Sequence, residues 1–230
     1  KEVFDCLPYD ARFFIECING KTRVTDSVSS DFAFSKMAAV ASRELDVLVE
    51  DEVAKALLQA CLPASIRSRI AISVIGSATA LARQLAAIYI RGEERPTLAV
   101  FDGDQRTKES VNREHSQKMA EKIEDDFSDW FGSRVGYLPG ETWPEAWIVQ
   151  KSASCVESIS LMTSSDIDAL SDILEFGLQA GKHNEFRSIS RDLGLDQKGC
   201  LHLFTTAVCQ ANPDDFSDLI EKSECRLAEG

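Results

Sequence analysis

The middle of the chain alternates short apolar runs with amphipathic segments. The runs DVLVE, RIAISVIG, TLAVFDGD and SRVGYLPG predict four buried strands, and the segments between them predict helices over 51–62, 78–91 and 107–129. Short apolar strands that alternate with amphipathic helices are typical of a parallel sheet with helices on both faces. We therefore predict an α/β domain over residues 46–150.

The N-terminal part has a different pattern. Two β-prone runs between residues 12 and 28 flank Asn19-Gly20, the strongest short signal for a β-hairpin. The next segment, DFAFSKMAAVASRE, predicts a short helix with Ser29 or Ser30 as its cap. A hairpin and one helix bury little surface by themselves, so we expect residues 1–45 to connect to a neighbouring domain.

The C-terminal part, residues 151–230, lacks convincing strands. Four segments place apolar residues at helical spacing, with breaks at Gly194 and Asn212-Pro213. This pattern predicts a small helical subdomain.

The charge of the chain limits its partners. It has 25 basic and 38 acidic residues, for a net charge of −13. Because nucleic-acid binders usually present a basic surface, this charge argues against DNA binding by this chain acting alone. Divalent cations that neutralise an acidic centre, or a basic surface on an upstream domain, would remove the conflict. The chain starts without Met on what reads as a connecting segment, and we expect such a domain before it.

Cysteine usage and hydropathy bear on the compartment. Seven cysteines are scattered without CxxC spacing, which is typical of reduced thiols and not of disulfides or a zinc site. The sequence has no run of eighteen apolar residues, and its first residues lack the features of a signal peptide. We expect a cytoplasmic protein with no membrane partner.

Candidate chemistry lies where the predicted strands end. In right-handed βαβ units all parallel strands end at one edge of the sheet. This edge should therefore collect Glu50, Gly76-Ser77, Asp102, Asp104 and Gly140-Glu141.

Three acids at this edge have the chemistry of a cation site. Asp102 and Asp104 leave the third strand around Gly103, which lets the backbone turn, and Glu50 ends the first strand. Mg²⁺ prefers carboxylate oxygens and keeps waters for substrate phosphates. Two such cations can stabilise the attacking and leaving oxygens of phosphodiester cleavage. Clustered carboxylates repel one another unless a cation offsets the repulsion. We therefore favour binding of Mg²⁺ or Mn²⁺ by these acids over a role as solvated turn residues.

The residues around these acids resemble a known family. LVEDEVAKALL, AISVIGSATAL and LAVFDGDQ resemble the TOPRIM fold of topoisomerases, primases and related nucleases. Together with ARFFIECINGKTRV and YLPGETWPEAW, they look like the C-terminal half of OLD-family nucleases, which pair an ABC-type ATPase with a TOPRIM domain. The resemblance covers most of residues 9–150 and is weaker beyond.

The resemblance implies a fold and an activity. The fold would be a Rossmann-like TOPRIM sheet. The activity would be metal-dependent cleavage or nicking of DNA, often in bacterial antiphage defence. The enzyme would be a homo-oligomer assembled through the upstream ATPase domain, and other defence-system subunits would be further partners. The chain contains no GxxxxGK[ST] motif, so it should not hydrolyse ATP by itself.

The resemblance also assigns residues. Glu50 matches the first TOPRIM acid, and Asp102 and Asp104 match its DxD, as catalytic residues and metal ligands. Family members often have an acid four residues after the first, where this chain has Ala54, so Asp51 or Glu52 would have to substitute.

Further candidates follow the fourth strand. OLD nucleases use an acid after this strand and a lysine in the helical tail; Glu141 or Glu145 and Lys182 are the nearest matches. Ser77 and His183, the latter next to Lys182, are candidate phosphate contacts. His115, His183 and His202 have no nucleophile signature near them, so histidine or cysteine catalysis is disfavoured.

Two other functions fit the same residues. LVEDE, GSATAL and an Asp after the third strand also look like a phosphoacceptor receiver domain, in which Glu50 and Asp51 bind Mg²⁺ and Asp102 accepts the phosphoryl group. Asp104 argues against it, because receivers usually have an apolar residue there. A catalytically silent scaffold for an ATPase or another subunit is the third possibility. Metal binding distinguishes the scaffold from the nuclease and from the receiver domain, since a scaffold has no need of a cation.

Overall fold

A computed structural model describes residues 4, 6–18, 21–29, 33, 36–37, 44–92, 95–120 and 127–228. The chain divides into two compact units, Lys1–Arg43 and Glu44–Gly230. The second unit contains every residue that the sequence suggests as a site residue.

The first unit contains the predicted hairpin. Strands β1 (Phe13–Ile18) and β2 (Lys21–Asp26) pair antiparallel, with Phe13 opposite Asp26 and Ile18 opposite Lys21. The predicted turn at Asn19-Gly20 and most of the helix predicted after it lie outside the described residues.

The second unit is built on a parallel sheet. Its strands are β3 (Leu45–Val49), β4 (Ile70–Val74), β5 (Thr97–Phe101) and β6 (Val135–Tyr137), in the order β4-β3-β5-β6. All three pairings are parallel. The prediction of an α/β fold with a parallel sheet is thus confirmed.

Helices connect consecutive strands. Between β3 and β4 lie α1 (Glu52–Cys61) and the short α2 (Ala64–Arg67), and α3 (Ala78–Arg91) joins β4 to β5. A 3₁₀ segment (Gly103–Lys108), α4 (Glu109–Ala120) and α5 (Phe127–Ser133) lie between β5 and β6.

Alternate strand residues bury opposite faces of the sheet, as the pleat requires. On one face, Val47 and Val100 share a hydrophobic cluster with residues of α1. On the other face, Leu48 and Phe101 share a second cluster with residues of α3, α4 and α5. Helices therefore cover the sheet on both sides, as the continuous apolar strands predict.

The part of the chain described after residue 143 is mainly helical and packs on the α1 face. It comprises α6 (Pro144–Ser152), α7 (Val156–Thr163), α8 (Ile167–Gln179), α9 (Glu185–Asp192), α10 (Gln197–Ala211) and α11 (Ser217–Ala228). Phe186, Phe204 and Phe216 join the cluster that contains Val47 and Val100. The C-terminal helices thus share the hydrophobic core of the sheet.

Two parts of the helix prediction differ from the structure. The sequence pattern missed α6 and α7. Pro144 occupies the first turn of α6, where a missing N–H costs nothing, and this helix is buried on most sides, so it lacks amphipathic periodicity. The helix predicted over 107–129 starts at Glu109, because residues up to Lys108 form the 3₁₀ segment; residues 121–126, between α4 and α5, lie outside the described residues. Asn112 and Ser116 are buried positions of α4, so apolar spacing is a poor guide there.

No helix within the described ranges combines the length and the apolar character needed to cross a bilayer.

Candidate metal centre

The centre lies at the carboxyl edge of the sheet, where β3 and β5 end side by side. Glu50 directly follows β3 and Asp102 directly follows β5. The backbone N–H of Asp102 donates a hydrogen bond to Glu50 Oε1 at 3.1 Å. The winding of the sheet reverses between these two strands, because β4 lies on one side of β3 and β5 on the other. Open α/β sheets bind ligands at such a reversal point.

Asp102 is the buried centre of the cluster. It is 6% exposed, and its Oδ1 has no hydrogen-bond partner in the described part of the chain. Burial raises its pKa to about 8, with further contributions from the carboxylates of Glu50, Asp51, Asp104 and Glu145. A buried carboxyl oxygen that faces other acids and has no donor is suited to a cation.

Glu50 is also desolvated. Burial is the main cause that raises the pKa of Glu50, and Asp104 and Asp51 add to it. The N–H groups of Asp102 and Ala78 act in the opposite direction, because they stabilise the charged carboxylate. A bound cation would therefore stabilise the charged form of both strand-end acids.

Gly103 allows the Asp102-Gly103-Asp104 segment to lie against the loop after β6. A Cβ atom on Gly103 would lie 2.6 Å from the carbonyl oxygen of Gly140 and 2.9 Å from that of Pro139. Both neighbours are backbone atoms, so they cannot rotate away as a side chain would. The glycine between the two acids is thus required by close backbone approach.

Asp104 faces Lys182 from the helical tail. The Nζ atom of Lys182 lies 3.6 Å from Asp104 Oδ2 and 5.2 Å from the centre of the Trp143 ring. The Trp143 indole N–H donates to Oε1 of Glu185 at 2.6 Å, and Glu185 is fully buried. Glu185 therefore orients Trp143, and Trp143 and Asp104 together position Lys182.

A second group of ligand atoms lies beside the first. Asp51, Glu145 and His183 each place one such atom within 4.8 Å of the other two. Asp51 Oδ1 accepts the backbone N–H groups of Val53 and Ala54 and so caps α1.

Three predicted site residues have other surroundings. Glu52 is exposed on α1 and pairs with Lys55, with 3.6 Å between Oε2 and Nζ. Glu141 is exposed in the loop before α6. Ser77 caps α3 through a hydrogen bond of 3.2 Å from the Ala80 N–H to its Oγ. Of the two acids proposed after the fourth strand, Glu145 is the one buried beside Asp102.

The sequence pattern did not single out the pair of residues that supports Lys182. Glu185 lies at the polar start of an amphipathic segment, and Trp143 lies in YLPGETWPEAW without a motif of its own. Only the pairing of an aromatic N–H donor with a buried acid reveals their joint role, and these residues are 42 positions apart. Spacing along the chain carries no signal for such a contact.

No protein-family model, curated protein or solved structure matches this chain.

Proposed function

We propose that this chain is a TOPRIM-type, metal-dependent DNA endonuclease domain of OLD-like architecture. The observation that carries the proposal is the buried Oδ1 of Asp102, which has no partner among the described residues and lies among the carboxylates of Glu50, Asp51, Asp104 and Glu145. This arrangement costs stability without a cation. The order of the motifs in the sequence favours phosphodiester chemistry at that cation.

Glu50, Asp102 and Asp104 are the residues that would hold Mg²⁺ or Mn²⁺. When bound, such a cation activates a water and stabilises charge that develops on the phosphate. Lys182 adds a positive charge next to Asp104, where it can bind a phosphate oxygen. His183, which is half exposed, lies next to Lys182 in the sequence, at the solvent side of the same centre.

The charge of the chain fits an enzyme that depends on cations and on an additional surface. With a net charge of −13, the chain alone attracts DNA weakly, because affinity for DNA comes mainly from basic contacts to phosphates. We propose that an upstream ABC-type ATPase domain supplies this surface and assembles a homo-oligomer. Its setting would be cytoplasmic antiphage defence, with other defence-system subunits as further partners.

Cleavage of supercoiled plasmid tests the proposal. The chain is incubated with plasmid and Mg²⁺, Mn²⁺ or EDTA, and so are its Asp102→Asn and Glu50→Gln variants. Asp172→Asn, which changes an exposed acid on α8, serves as the charge-matched control. We expect nicking with either metal, none with EDTA, and a loss of at least about a hundredfold in both site variants, as for removal of groups that act in the transition state.

Two results would overturn the nuclease proposal. One is folded protein that binds Mg²⁺ but leaves the plasmid intact, also when joined to its natural upstream domain. The other is nicking that survives in both site variants. In the first case, phosphorylation of Asp102 by acetyl phosphate would identify the receiver-like function. If Asp102 were not phosphorylated, the catalytically silent scaffold would be the remaining function.

A further inference from the structure

Asp51, Glu145 and His183 come together from three separate elements. Asp51 caps α1, Glu145 lies in the first turn of α6, and His183 lies in the loop between α8 and α9. One ligand atom of each lies within 4.8 Å of the other two. The ligand atoms of a tetrahedral Zn²⁺ lie about 2.0–2.2 Å from the ion and therefore about 3.4 Å from one another, so side-chain movements of about 1–1.5 Å would complete the site.

Glu145 is the residue that points to a ligand in this group. Its side chain is buried, with the residue 6% exposed, and its Oε1 lies 2.9 Å from His183 Nδ1. Its other oxygen, Oε2, is buried and has no hydrogen-bond partner among the residues described. A buried carboxylate oxygen without a donor is rare in folded proteins, and a bound cation would satisfy it.

We infer that Asp51, Glu145 and His183 form a second cation site that selects Mn²⁺ or Zn²⁺ over Mg²⁺. An imidazole nitrogen is a good ligand for zinc and a poor one for magnesium, which prefers oxygen. The site around Asp102 offers carboxylate oxygens alone. The two neighbouring sites therefore differ in metal preference because only one contains a histidine.

The position of Asp51 supports this assignment. Its Oδ1 is held by two backbone N–H groups at 2.9 and 2.8 Å. These bonds fix the carboxylate at the N-terminus of α1 and limit the entropy lost when a ligand binds. His183 is half exposed, so a cation and its remaining waters have access from solvent.

His183→Asn is the sharpest test variant. His183 has a φ of 66°, in the left-handed region, and Asn is one of the few residues that adopt this conformation readily. The substitution therefore removes the imidazole without straining the backbone. Glu145→Gln, which preserves shape, is the second variant.

Isothermal titration calorimetry with Zn²⁺ alone, and separately with Mg²⁺ alone, measures the preference. We expect Zn²⁺ affinity to fall at least about tenfold in His183→Asn and in Glu145→Gln, as for the loss of groups that hold a metal. The Mg²⁺ affinity of His183→Asn should stay within about threefold of the unsubstituted chain. The visible absorption of Co²⁺ added in place of Zn²⁺ should weaken in His183→Asn, which reports loss of a nitrogen ligand directly.

A double variant controls for binding to any surface histidine. His115 and His202 are exposed on α4 and α10, and His115→Asn with His202→Asn should leave Zn²⁺ affinity unchanged. Zn²⁺ affinity within about threefold of the unsubstituted chain in folded His183→Asn would overturn the inference. All these readouts are metal binding, so they stand whether or not the chain cleaves DNA.

Discussion

The Asp102 N–H donates to Glu50 Oε1 across the gap between β5 and β3, at 3.1 Å. This bond links the ends of two adjacent parallel strands and fixes the first acid against the second. Val49 pairs with Val100 in the register between these strands, so Glu50 lies one residue and Asp102 two residues past this pair. A shift of one residue would move one of the two acids away from the cluster.

Asp102 should make the stability of the metal-free chain depend on pH. Its pKa of about 8 compares with about 3.9 in an unfolded chain. Between these values the folded state binds more protons than the unfolded state, so stability falls as pH rises from about 4 to about 8. Asp102→Asn removes this loss. Relative to the unsubstituted chain, we expect its free energy of unfolding to gain about 1 kcal/mol or more between pH 5 and pH 8.

Urea unfolding in EDTA at these two pH values measures the effect. Asp172→Asn is the control, because its side chain is exposed on α8, and it should follow the unsubstituted chain at both. A constant difference between Asp102→Asn and the unsubstituted chain would show that Asp102 does not titrate in this range.

Glu145 and Glu141 should differ in their effect on metal binding. Glu145 is buried next to Asp102 and raises its pKa, whereas Glu141 is exposed in the preceding loop. We expect Glu145→Gln to weaken Zn²⁺ binding at least about tenfold, and Glu141→Gln to change it less than about twofold. Calorimetric titration of both variants with Zn²⁺ shows which of the two acids contributes to metal binding. A larger loss in Glu141→Gln would reverse the assignment.

The Trp143–Glu185 hydrogen bond should contribute measurably to stability. Trp143→Phe keeps an aromatic ring and removes the N–H that Oε1 of Glu185 accepts. A buried acceptor left without a donor costs about 1–3 kcal/mol. We expect a loss of that size in chemical unfolding. Because a neutral amide is less costly to leave unpaired than a carboxylate, Glu185→Gln should recover part of it. If Trp143→Phe destabilised the chain as much in the Glu185→Gln background as alone, the two side chains would not be coupled.

The same pair should position Lys182. In a cleavage assay, the Trp143→Phe variant should lose part of the activity that Lys182→Ala loses, because a Phe ring without the hydrogen bond to Glu185 is no longer fixed against the Lys182 ammonium group.

Gly103 should tolerate no side chain. Ala at this position would bring a Cβ atom to 2.6 Å from the Gly140 carbonyl oxygen. The backbone would have to shift, at a cost of about 1–3 kcal/mol, and Asp102 and Asp104 would move with it. Gly132→Ala is the matched control: it lies in α5, a Cβ there meets no atom within 4 Å, and it should be neutral or slightly stabilising.

Thermal unfolding of both variants, with and without Mg²⁺, checks this expectation. Gly103→Ala should lose stability and also the increase that Mg²⁺ gives to the unsubstituted chain, whereas Gly132→Ala should keep that increase. Equal behaviour of the two variants would show that the loop after β6 can move away from the acids.

The sequence predicts the parallel sheet and the position of its acids well. Buried parallel strands consist of continuous apolar runs, and each run here ends in the residues that reach the common edge. Glu50 and Asp102 are therefore predictable from local patterns. The caps are also local: Asp51 and Ser77 precede helices at the positions where side chains accept backbone N–H groups.

Other parts of the centre depend on tertiary contacts. Glu145 belongs to a buried helix that starts at Pro144, where amphipathic periodicity is absent. His183 and Glu185 reach the centre because α8 and α9 fold back onto α6, and no local pattern reports that packing. The sequence left Glu141 and Glu145 as alternatives for this reason, and only burial distinguishes them.

The most direct test of the account is calorimetric titration of the chain with Mg²⁺ at about pH 8, compared with Asp102→Asn. We predict one oxygen-ligand site with a measurable affinity in the unsubstituted chain, a loss of at least about tenfold in Asp102→Asn, and no loss in the control Asp172→Asn. Equal Mg²⁺ affinity in folded Asp102→Asn, or no Mg²⁺ binding to the unsubstituted chain, would contradict the assignment of Glu50, Asp102 and Asp104 as a metal centre.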